Sequence, residues 1–319
     1  MSAIVTLLVI LLLILAGTAW MFFQFTFSRK GMRMPGKPYS KEGEYDLRIW
    51  KNCMEQHLQD HNWYLEQPMN SLTVMSEDQL NLHGNYLHCE KPERIVLCVH
   101  GFRGDPSHDV AGVARYLHQH HCDLLFINQR ASGQSEGNYI TFGAKEKNDI
   151  KTWCRYLEAH NPKKLPVYLY GVSMGCTTIL CASTLGITPL VHGLIADCGY
   201  SSIRSILEAQ ARGSFHLPPY PILSLIELLC RWIAKFRFSD GDAQEAMKQN
   251  RIPVLFIHGN DDHFVRTENT LRNYEACAAE KELLLVDGAT HANSYNVNEQ
   301  LYQAYLNRFF QKWDNEEIR

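Results

Sequence analysis

Residues 165–185 read LPVYLYGVSMGCTTILCASTL, and their pattern changes halfway along. The first residues form a short β-branched and aromatic run typical of a strand, whereas the last form a small-residue apolar pattern typical of a helix. Between the two stands Gly171-Val172-Ser173-Met174-Gly175. A serine on such a turn, with glycine two residues before and after it, is typical of a nucleophile held above a sheet edge, since glycine tolerates the crowding. We therefore predict that Ser173 is a catalytic nucleophile, although on a single turn the pattern can also arise by chance.

The composition is that of an ordinary globular protein and excludes several classes. The 319 residues are 45% apolar and 20% charged, and the formal net charge is −3 with both signs interspersed. Because no basic patch is visible, we expect no nucleic-acid partner. The sequence has no glycine-rich phosphate loop and no cysteine spacing typical of zinc sites, so we expect no cofactor and no metal. Ten cysteines are scattered without the spacing of a disulfide framework, which indicates a reducing compartment.

The N-terminus is almost wholly apolar over residues 3–23, and no charge appears before Arg29. This stretch is long enough to cross about 30 Å of hydrocarbon as a helix. A secretory signal peptide is the alternative, with residues 17–19 as a cleavage site, but the basic segment that such a peptide needs is missing. Basic residues follow the apolar stretch, which predicts a cytoplasmic flank; they are Arg29, Lys30, Arg33, Lys37 and Lys41. We expect residues 1–28 to be a single-pass anchor in the cell membrane, with the catalytic domain in the cytoplasm.

The next segment, residues 29–61, mixes prolines and charges with a short amphipathic stretch, and we interpret it as a linker followed by an edge helix. The catalytic domain is expected to occupy residues 62–319. Short strands are predicted at 62–65, 71–75 and 80–87, because β-favouring runs alternate there with turn residues. We expect these strands to form the antiparallel edge of the sheet.

From residue 94 onwards, buried strands alternate with helices. The predicted strands are 94–99, 124–127, 167–170, 194–196, 254–257 and 283–286. The predicted helices are 109–120, 144–158, the helix after Ser173, 266–279 and 300–313. Continuous apolar strands that alternate with helices indicate an α/β fold with a mainly parallel, doubly wound sheet.

One segment, residues 199–250, interrupts the alternation. It is too long for a plain crossover and too apolar for a solvated loop, and it contains a predicted helix at 222–236. We interpret the segment as a helical cap over the strand ends, with a helix on the flank of the sheet as the alternative. Its apolar side chains predict a substrate with a hydrophobic acyl chain; the candidate substrate-binding residues are Phe215, Leu217, Tyr220 and Trp232.

Two further loops follow predicted strands and carry residues that a nucleophilic serine needs. His291 follows the last strand, so that the chain order is serine, acid, histidine, and it is the candidate general base. Asp261 and Asp262 follow the strand before it, where a carboxylate can orient the histidine. Because these two are adjacent, spacing alone does not choose between them, and Asp197 after the preceding strand is a third candidate.

A serine nucleophile also needs two backbone N–H donors for the oxyanion of the tetrahedral intermediate. We assign them to Met174, the residue after the nucleophile, and to Phe102, in the loop after the strand 94–99. His100, in the same loop, is interpreted as a residue that shapes the loop and not as the base.

The chain thereby resembles the α/β hydrolases. The motifs that carry the resemblance are His100-Gly101-Phe102, residues 128–137 (NQRASGQSEG), residues 171–175 (GVSMG), residues 258–265 (HGNDDHFV) and residues 288–291 (GATH). The chain is similar in particular to bacterial hydrolases with one N-terminal membrane helix, grouped with serine-aminopeptidase-like and cinnamoyl-esterase-like enzymes. In this family the motif is His-Gly-x-x-Asp-x-x-Val, and its Asp is the acid of the triad. Matched to residues 258–265, the resemblance implies Asp262 and not Asp261. Asn128 and Ser132 depart from the family pattern, which usually has Asp and His there.

These observations predict a serine hydrolase that cleaves a carboxylic ester through a Ser173-His291-Asp262 triad and an acyl-enzyme. The substrate is expected to be a small-molecule ester or a lipid-like molecule. An acyltransferase or a peptidase could use the same triad, and a catalytically inactive, membrane-tethered binding module is the alternative outside the enzymes.

Overall fold

The computed structural model describes residues 2–31, 47–187 and 189–314. Its centre is an eight-stranded sheet in the order β1-β2-β4-β3-β5-β6-β7-β8. The strands are β1 (Asn70–Met75), β2 (Asn81–Leu87), β3 (Arg94–Val99), β4 (Cys122–Ile127), β5 (Val167–Val172), β6 (Val191–Asp197), β7 (Val254–Gly259) and β8 (Lys281–Val286). Strands β3 to β8 are parallel to one another, and β2 runs antiparallel to both β1 and β4. The mainly parallel sheet with an antiparallel edge is thus confirmed.

Helices cover both faces of this sheet. They are α1 (Ser2–Phe27), α2 (Leu47–Glu66), α3 (Pro106–Asp109), α4 (Ala111–Gln119), α5 (Glu146–His160), α6 (Met174–Ala182), α7 (Ile203–Gly213), α8 (Ile222–Leu229), α9 (Ala243–Met247), α10 (Glu268–Ala276), α11 (Ser294–Val297) and α12 (Glu299–Trp313). A π-helical turn (Cys230–Ala234) continues α8, and a 3-10 turn (Phe238–Gly241) precedes α9. The helix predicted over residues 109–120 corresponds to α4, and only Asp109 of the predicted range belongs to α3.

The core forms two apolar layers, one on each face of the sheet. Val96 and Cys98 of β3 face the layer under α2, α4 and α12, whereas Ile95, Leu97 and Val99 face the layer under α5, α6 and α9. This alternation is the period of two that a strand imposes, and β3 is buried at every position because both of its faces are covered.

The strand predicted at residues 62–65 is wrong, because these residues form the last part of α2. Asp60 and Tyr64, one helical turn apart, are both buried, and the Tyr64 ring packs edge-on against Phe126 at 4.8 Å. Burial at helical spacing therefore outweighs the β-favouring aromatic composition of this segment. The prolines of the predicted linker, together with Arg33, Lys37 and Lys41, fall within residues 32–46 and lie outside the described residues.

Residues 199–250 hold α7, α8 and α9 and the two short turns between α8 and α9. The buried side chains of α8 belong to a third apolar cluster, separate from the two layers of the sheet, which also includes Met174 and Val265. This placement favours a cap over a helix on the sheet flank. The N-terminal helix joins the same cluster through Ala19, Phe23 and Phe27.

Within the described residues, α1 is long and apolar enough to cross a membrane over Ala3–Phe27, which comprises 25 residues. Its first part, up to Ile14, exposes large apolar side chains, whereas Phe23 and Phe27 near its end are completely buried. The helix therefore has two environments: a free apolar part and a part that is packed against the cap.

Candidate active site

Ser173 lies on a tight turn between a strand and a helix. Strand β5 ends at Val172 and α6 begins at Met174, which leaves Ser173 between them with φ 54° and ψ −115°. A positive φ is unfavourable for a residue with a Cβ, so the surrounding structure must hold this backbone in place. A Cβ on Gly171 would lie 2.5 Å from the carbonyl carbon of Gly175, and one on Gly175 would overlap the Val99 carbonyl oxygen. Glycine on both sides of Ser173 is therefore a steric requirement of the turn.

A chain of hydrogen bonds leads from Ser173 to Asp262. The Ser173 Oγ lies 2.9 Å from His291 Nε2, and His291 Nδ1 lies 2.7 Å from Asp262 Oδ2. All three side chains are buried, with Ser173 and His291 each 8% exposed. They come from loops after β5, β7 and β8, whose carboxyl ends meet at one edge of the sheet.

The loop that carries His291 is pinned by Asn293. Its side-chain oxygen accepts a hydrogen bond from the Thr290 N–H at 2.7 Å, and its amide donates to the Thr290 hydroxyl at 2.9 Å. Because these bonds close the turn around His291, they restrict the backbone position from which the imidazole reaches Ser173.

The loop after β3, called the donor loop because it carries the predicted oxyanion donor Phe102, is held by hydrogen bonds to two other segments of the chain. The Gly101 N–H donates to Asp109 Oδ2 at 2.8 Å, and Gln129 Nε2 donates to the His100 carbonyl at 2.7 Å. His100 is completely buried; its Nε2 accepts from the Gln129 N–H at 3.1 Å, so its Nδ1 donates to the Gly101 carbonyl at 2.8 Å. Both ring nitrogens of His100 are thus engaged in shaping the loop.

Comparison with known proteins adds an independent observation. Residues 90–206 match the family model described as serine aminopeptidase, S33. The chain is 26% identical over 223 residues to the uncharacterized protein YqkD of Bacillus subtilis (strain 168). The alignment covers 69% of this chain and 72% of that protein. Its structure is similar to that of the Pyrococcus furiosus esterase Pf2001, with a TM-score of 0.63 and 21% identity over 79% of this chain and 95% of the esterase. It is also similar to the Pyrococcus horikoshii acylaminoacyl peptidase, with a TM-score of 0.56 and 16% identity over 78% of this chain and 42% of the peptidase.

The chain has the α/β-hydrolase fold. The sheet order, the antiparallel edge and the serine turn between β5 and α6 agree with this assignment. The match to the family model spans β3 to the beginning of α7 and so contains the donor loop and Ser173.

Within this fold, Asp262 is surrounded by hydrogen-bond donors. Its Oδ1 accepts from the Phe264 and Val265 N–H groups, both at 2.9 Å. Burial alone would raise the pKa of the Asp262 carboxyl, but the charge of His291 and the hydrogen bonds from His258 and His291 hold it well below its ordinary value. The carboxylate is therefore ionised at neutral pH.

His258, for which the sequence predicts no role of its own, also contacts Asp262. Its Nε2 lies 2.7 Å from the Val265 carbonyl and 3.1 Å from Asp262 Oδ2, so this nitrogen carries a proton. Its Nδ1 contacts the Thr270 hydroxyl at 2.6 Å. His258 therefore donates to the same carboxylate oxygen as His291, and its place in the motif of residues 258–265 is the signal that the sequence offers.

The other two acid candidates lie elsewhere. Asp261 is half-exposed and pairs with the exposed His263 at 3.2 Å. Asp197 is buried at the end of β6, where its backbone carbonyl accepts from the Ser173 N–H at 2.9 Å. Its side-chain Oδ2 accepts from the Tyr302 hydroxyl at 2.7 Å, while its Oδ1 has no hydrogen-bond partner among the described residues. Burial raises the pKa of Asp197 to about 6, although the Tyr302 hydrogen bond opposes the shift. Only Asp262 among the three contacts His291.

The four predicted substrate-binding residues lie on the outer part of the cap. Phe215 packs edge-on against Phe22 of α1 at 5.0 Å, and the Tyr220 hydroxyl donates to Glu208 at 2.7 Å. Leu217 is partly exposed, and Trp232 is 72% exposed. Their contribution to substrate binding stays a prediction.

Three potential metal ligands come together in the described part of the chain. The ligand atoms of Cys198, Asp262 and His291 lie within 4.8 Å of one another. Since Asp262 and His291 already bond to each other, a metal there would compete with the Ser173 relay. The expectation of no metal and no cofactor stays a prediction.

We expect the two buried carboxylates to differ sharply in their effect on activity. Asp262→Asn should lower kcat on a soluble ester by about 10³–10⁴-fold, because the amide favours the wrong tautomer of His291. Asp197→Asn should keep most of the activity, since Asp197 bonds to Tyr302 and not to His291. Steady-state kinetics of both variants in detergent test this assignment, and equal losses would contradict it.

Asp197 should also make stability depend on pH. Its pKa is about 6 in the folded protein, against an ordinary value of 3.8, so the unfolded chain releases this proton first as the pH rises. The carboxyl therefore costs folding about 3 kcal/mol above pH 6 and nothing below pH 4. The Tm of Asp197→Asn relative to wild type should rise from pH 4.5 to pH 7.5. A Tm difference that is constant over this range would exclude the raised pKa.

Proposed function

We propose that this protein is a membrane-anchored serine hydrolase that cleaves a carboxylic ester through an acyl-enzyme. The observation that carries the proposal is the continuous relay of hydrogen bonds from Ser173 through His291 to Asp262, with distances of 2.9 and 2.7 Å. A nucleophile, a base and an orienting carboxylate in this order are the arrangement that activates a serine hydroxyl at neutral pH.

The ionised Asp262 accepts the Nδ1–H of His291, which leaves Nε2 as the acceptor that faces Ser173. When an ester carbonyl is placed over Ser173, Nε2 takes the hydroxyl proton as Oγ forms a bond to the carbonyl carbon. The tetrahedral intermediate then collapses, the C–O bond to the alcohol breaks, and His291 returns the proton to the leaving oxygen. Water, deprotonated by the same imidazole, then attacks the carbonyl carbon of the acyl-enzyme. The second tetrahedral intermediate collapses with cleavage of the C–Oγ bond, His291 returns the proton to Ser173 Oγ, and the carboxylic acid is released.

The oxyanion of each tetrahedral intermediate is assigned to the backbone N–H groups of Phe102 and Met174. Met174 stands in the first turn of α6, where N–H groups have no partner within the helix and the helix dipole favours negative charge. The Phe102 loop is held by the bonds to Gly101 and His100, so its N–H is oriented before the charge forms. A donor fixed in advance stabilises the intermediate without a cost of reorganisation.

The surroundings of the relay favour an apolar acyl group. The Phe264 ring lies 4.9 Å from the His291 imidazole, and the Phe102 ring stacks on Phe142 at 5.0 Å. Met174 and Val265 belong to the same apolar cluster. An ester with a hydrophobic acyl chain is thus a better substrate than a charged peptide, and the complete relay argues against an inactive binding module.

Helix α1 is proposed to be a retained anchor and not a removable signal. Cleavage after residue 19 would remove Ala19, whose side chain is buried in the cap cluster. The exposed Arg29 and Lys30 directly after the helix favour a cytoplasmic location of the enzyme. The ten cysteines are free thiols, which agrees with a reducing compartment.

The purified full-length protein should hydrolyse p-nitrophenyl esters, with kcat/KM increasing from acetate to octanoate. Ser173→Ala should lower kcat by at least about 10⁴-fold, because no other group replaces the nucleophile. Ser294→Ala is a matched control, since Ser294 is equally buried near His291 but its hydroxyl has no hydrogen-bond partner among the described residues. Wild-type rates for Ser173→Ala would refute the mechanism, and a preference for acetate would refute the apolar acyl group.

A further inference from the structure

The exposed part of α1, residues 3–17, is too short to cross a membrane by itself. Residues 3–17 are largely exposed, and contact with the rest of the protein begins at residues 18–19. At 1.5 Å per residue, the exposed part is about 22 Å long, whereas the hydrocarbon core of a bilayer is about 30 Å thick. If α1 spans the bilayer, roughly the next five residues must also lie at the depth of the hydrocarbon, and two of them, Ala19 and Phe22, are already packed against the cap cluster.

The contact between α1 and the cap is close. Ala19, Phe23 and Phe27 recur at intervals of four residues, so they form one stripe of the helix. This stripe is buried with Leu223 and Ile226 of α8, and the Phe27 ring lies 5.7 Å from Phe236. The position of α1 in the membrane therefore fixes the depth of the cap.

The outer surface of the cap has the composition of a membrane-interface surface. Large apolar side chains are exposed on it, namely Phe215, Leu217, Tyr220, Leu228 and Trp232. Beside Trp232 lies an open cleft of about 440 Å³. It is lined by Arg231, Trp232, Lys235, Phe236, Arg237 and Asp240, so cations outnumber the single carboxylate. Tryptophan with neighbouring cations is typical of the headgroup layer, and the cations attract anionic lipids.

The end of α1 is also connected to the donor loop. The Phe27 ring lies 5.3 Å from Phe142, whose ring stacks on Phe102 at 5.0 Å. The Arg103 guanidinium donates to the carbonyl oxygens of Phe25 and Ser28 at 2.9 and 2.8 Å. An apolar path of aromatic rings thus runs from the membrane helix to the proposed oxyanion donor.

We propose that the outer surface of the cap rests in the headgroup layer of the membrane that α1 crosses, and that the site takes an acyl ester directly from this membrane. The substrate class is then a membrane-resident lipid ester. This inference rests on the proposed hydrolase function for its substrate, whereas the seating of the cap can be measured without any activity.

The seating of the cap is tested by tryptophan fluorescence of the full-length protein in nanodiscs with plain or brominated phosphatidylcholine. Bromine in the acyl chains quenches tryptophans at membrane depth, so Trp232→Phe should lower the quenched fraction of the emission. Trp20→Phe on α1 is the positive control. Trp313→Phe is the negative control. The Trp313 carbonyl bonds to His192 at the beginning of β6, whereas the Ser173 site lies at the carboxyl ends of the strands. If Trp232→Phe lowers the emission by the same amount in plain and in brominated lipid, bromine does not quench Trp232. Trp232 then lies in water, which would overturn the proposal.

The lipid substrate is tested with Leu228→Glu, which puts a charge on the outer cap surface at a half-exposed position. Hydrolysis of a long-chain ester embedded in vesicles should fall roughly tenfold, the order expected when one aliphatic side chain loses its burial. Hydrolysis of soluble p-nitrophenyl acetate should stay unchanged. Leu58→Glu, at a leucine of α2 that is 51% exposed against 48% for Leu228, is the matched control and should affect neither substrate.

An equal fall on both substrates, or no fall on either, would overturn the delivery of substrate from the membrane. If the wild-type protein hydrolyses neither ester, the proposed function fails, while the fluorescence experiment still decides whether the cap is seated in the membrane.

Discussion

The site depends on one steric constraint, the turn at Ser173. The backbone at φ 54° and the absence of room for a Cβ at Gly171 and Gly175 allow a single path from β5 into α6. That path directs the hydroxyl away from the sheet, towards the loops after β7 and β8, and places the Met174 N–H at the first turn of a helix. The energetic cost of the strained residue is offset by the two buried apolar layers that clamp β5 from both faces.

The second requirement is a buried charge that remains ionised. Asp262 is out of contact with water, yet four donors surround it: His291, His258 and the N–H groups of Phe264 and Val265. Asp197, equally buried, has one hydroxyl donor, and burial raises its pKa to about 6. The number of donors thus separates the two carboxylates in a common low-dielectric environment.

The fold and two residues of the relay, Ser173 and His291, could be predicted because each depends on local pattern. Apolar runs mark the parallel strands; Ser173 follows β5 directly, and His291 lies in the loop after β8. The choice between Asp261 and Asp262 could not be made from spacing, because adjacent residues differ only in the direction of their side chains. The role of His258 depends on the fold of the loop over β7. Residues 62–65 have strand-like composition but are helical, and the all-round apolar pattern of α1 does not reveal which stripe packs against the cap.

The central claim is that Ser173 is the activated nucleophile, and covalent labelling tests it most directly. The full-length protein in nanodiscs would be treated with a fluorophosphonate probe, and the modified peptide identified by mass spectrometry. We predict one rapid modification, on Ser173, that is abolished in Ser173→Ala and strongly slowed in His291→Ala. Labelling that persists in Ser173→Ala, or a wild-type protein that is not labelled, would contradict it.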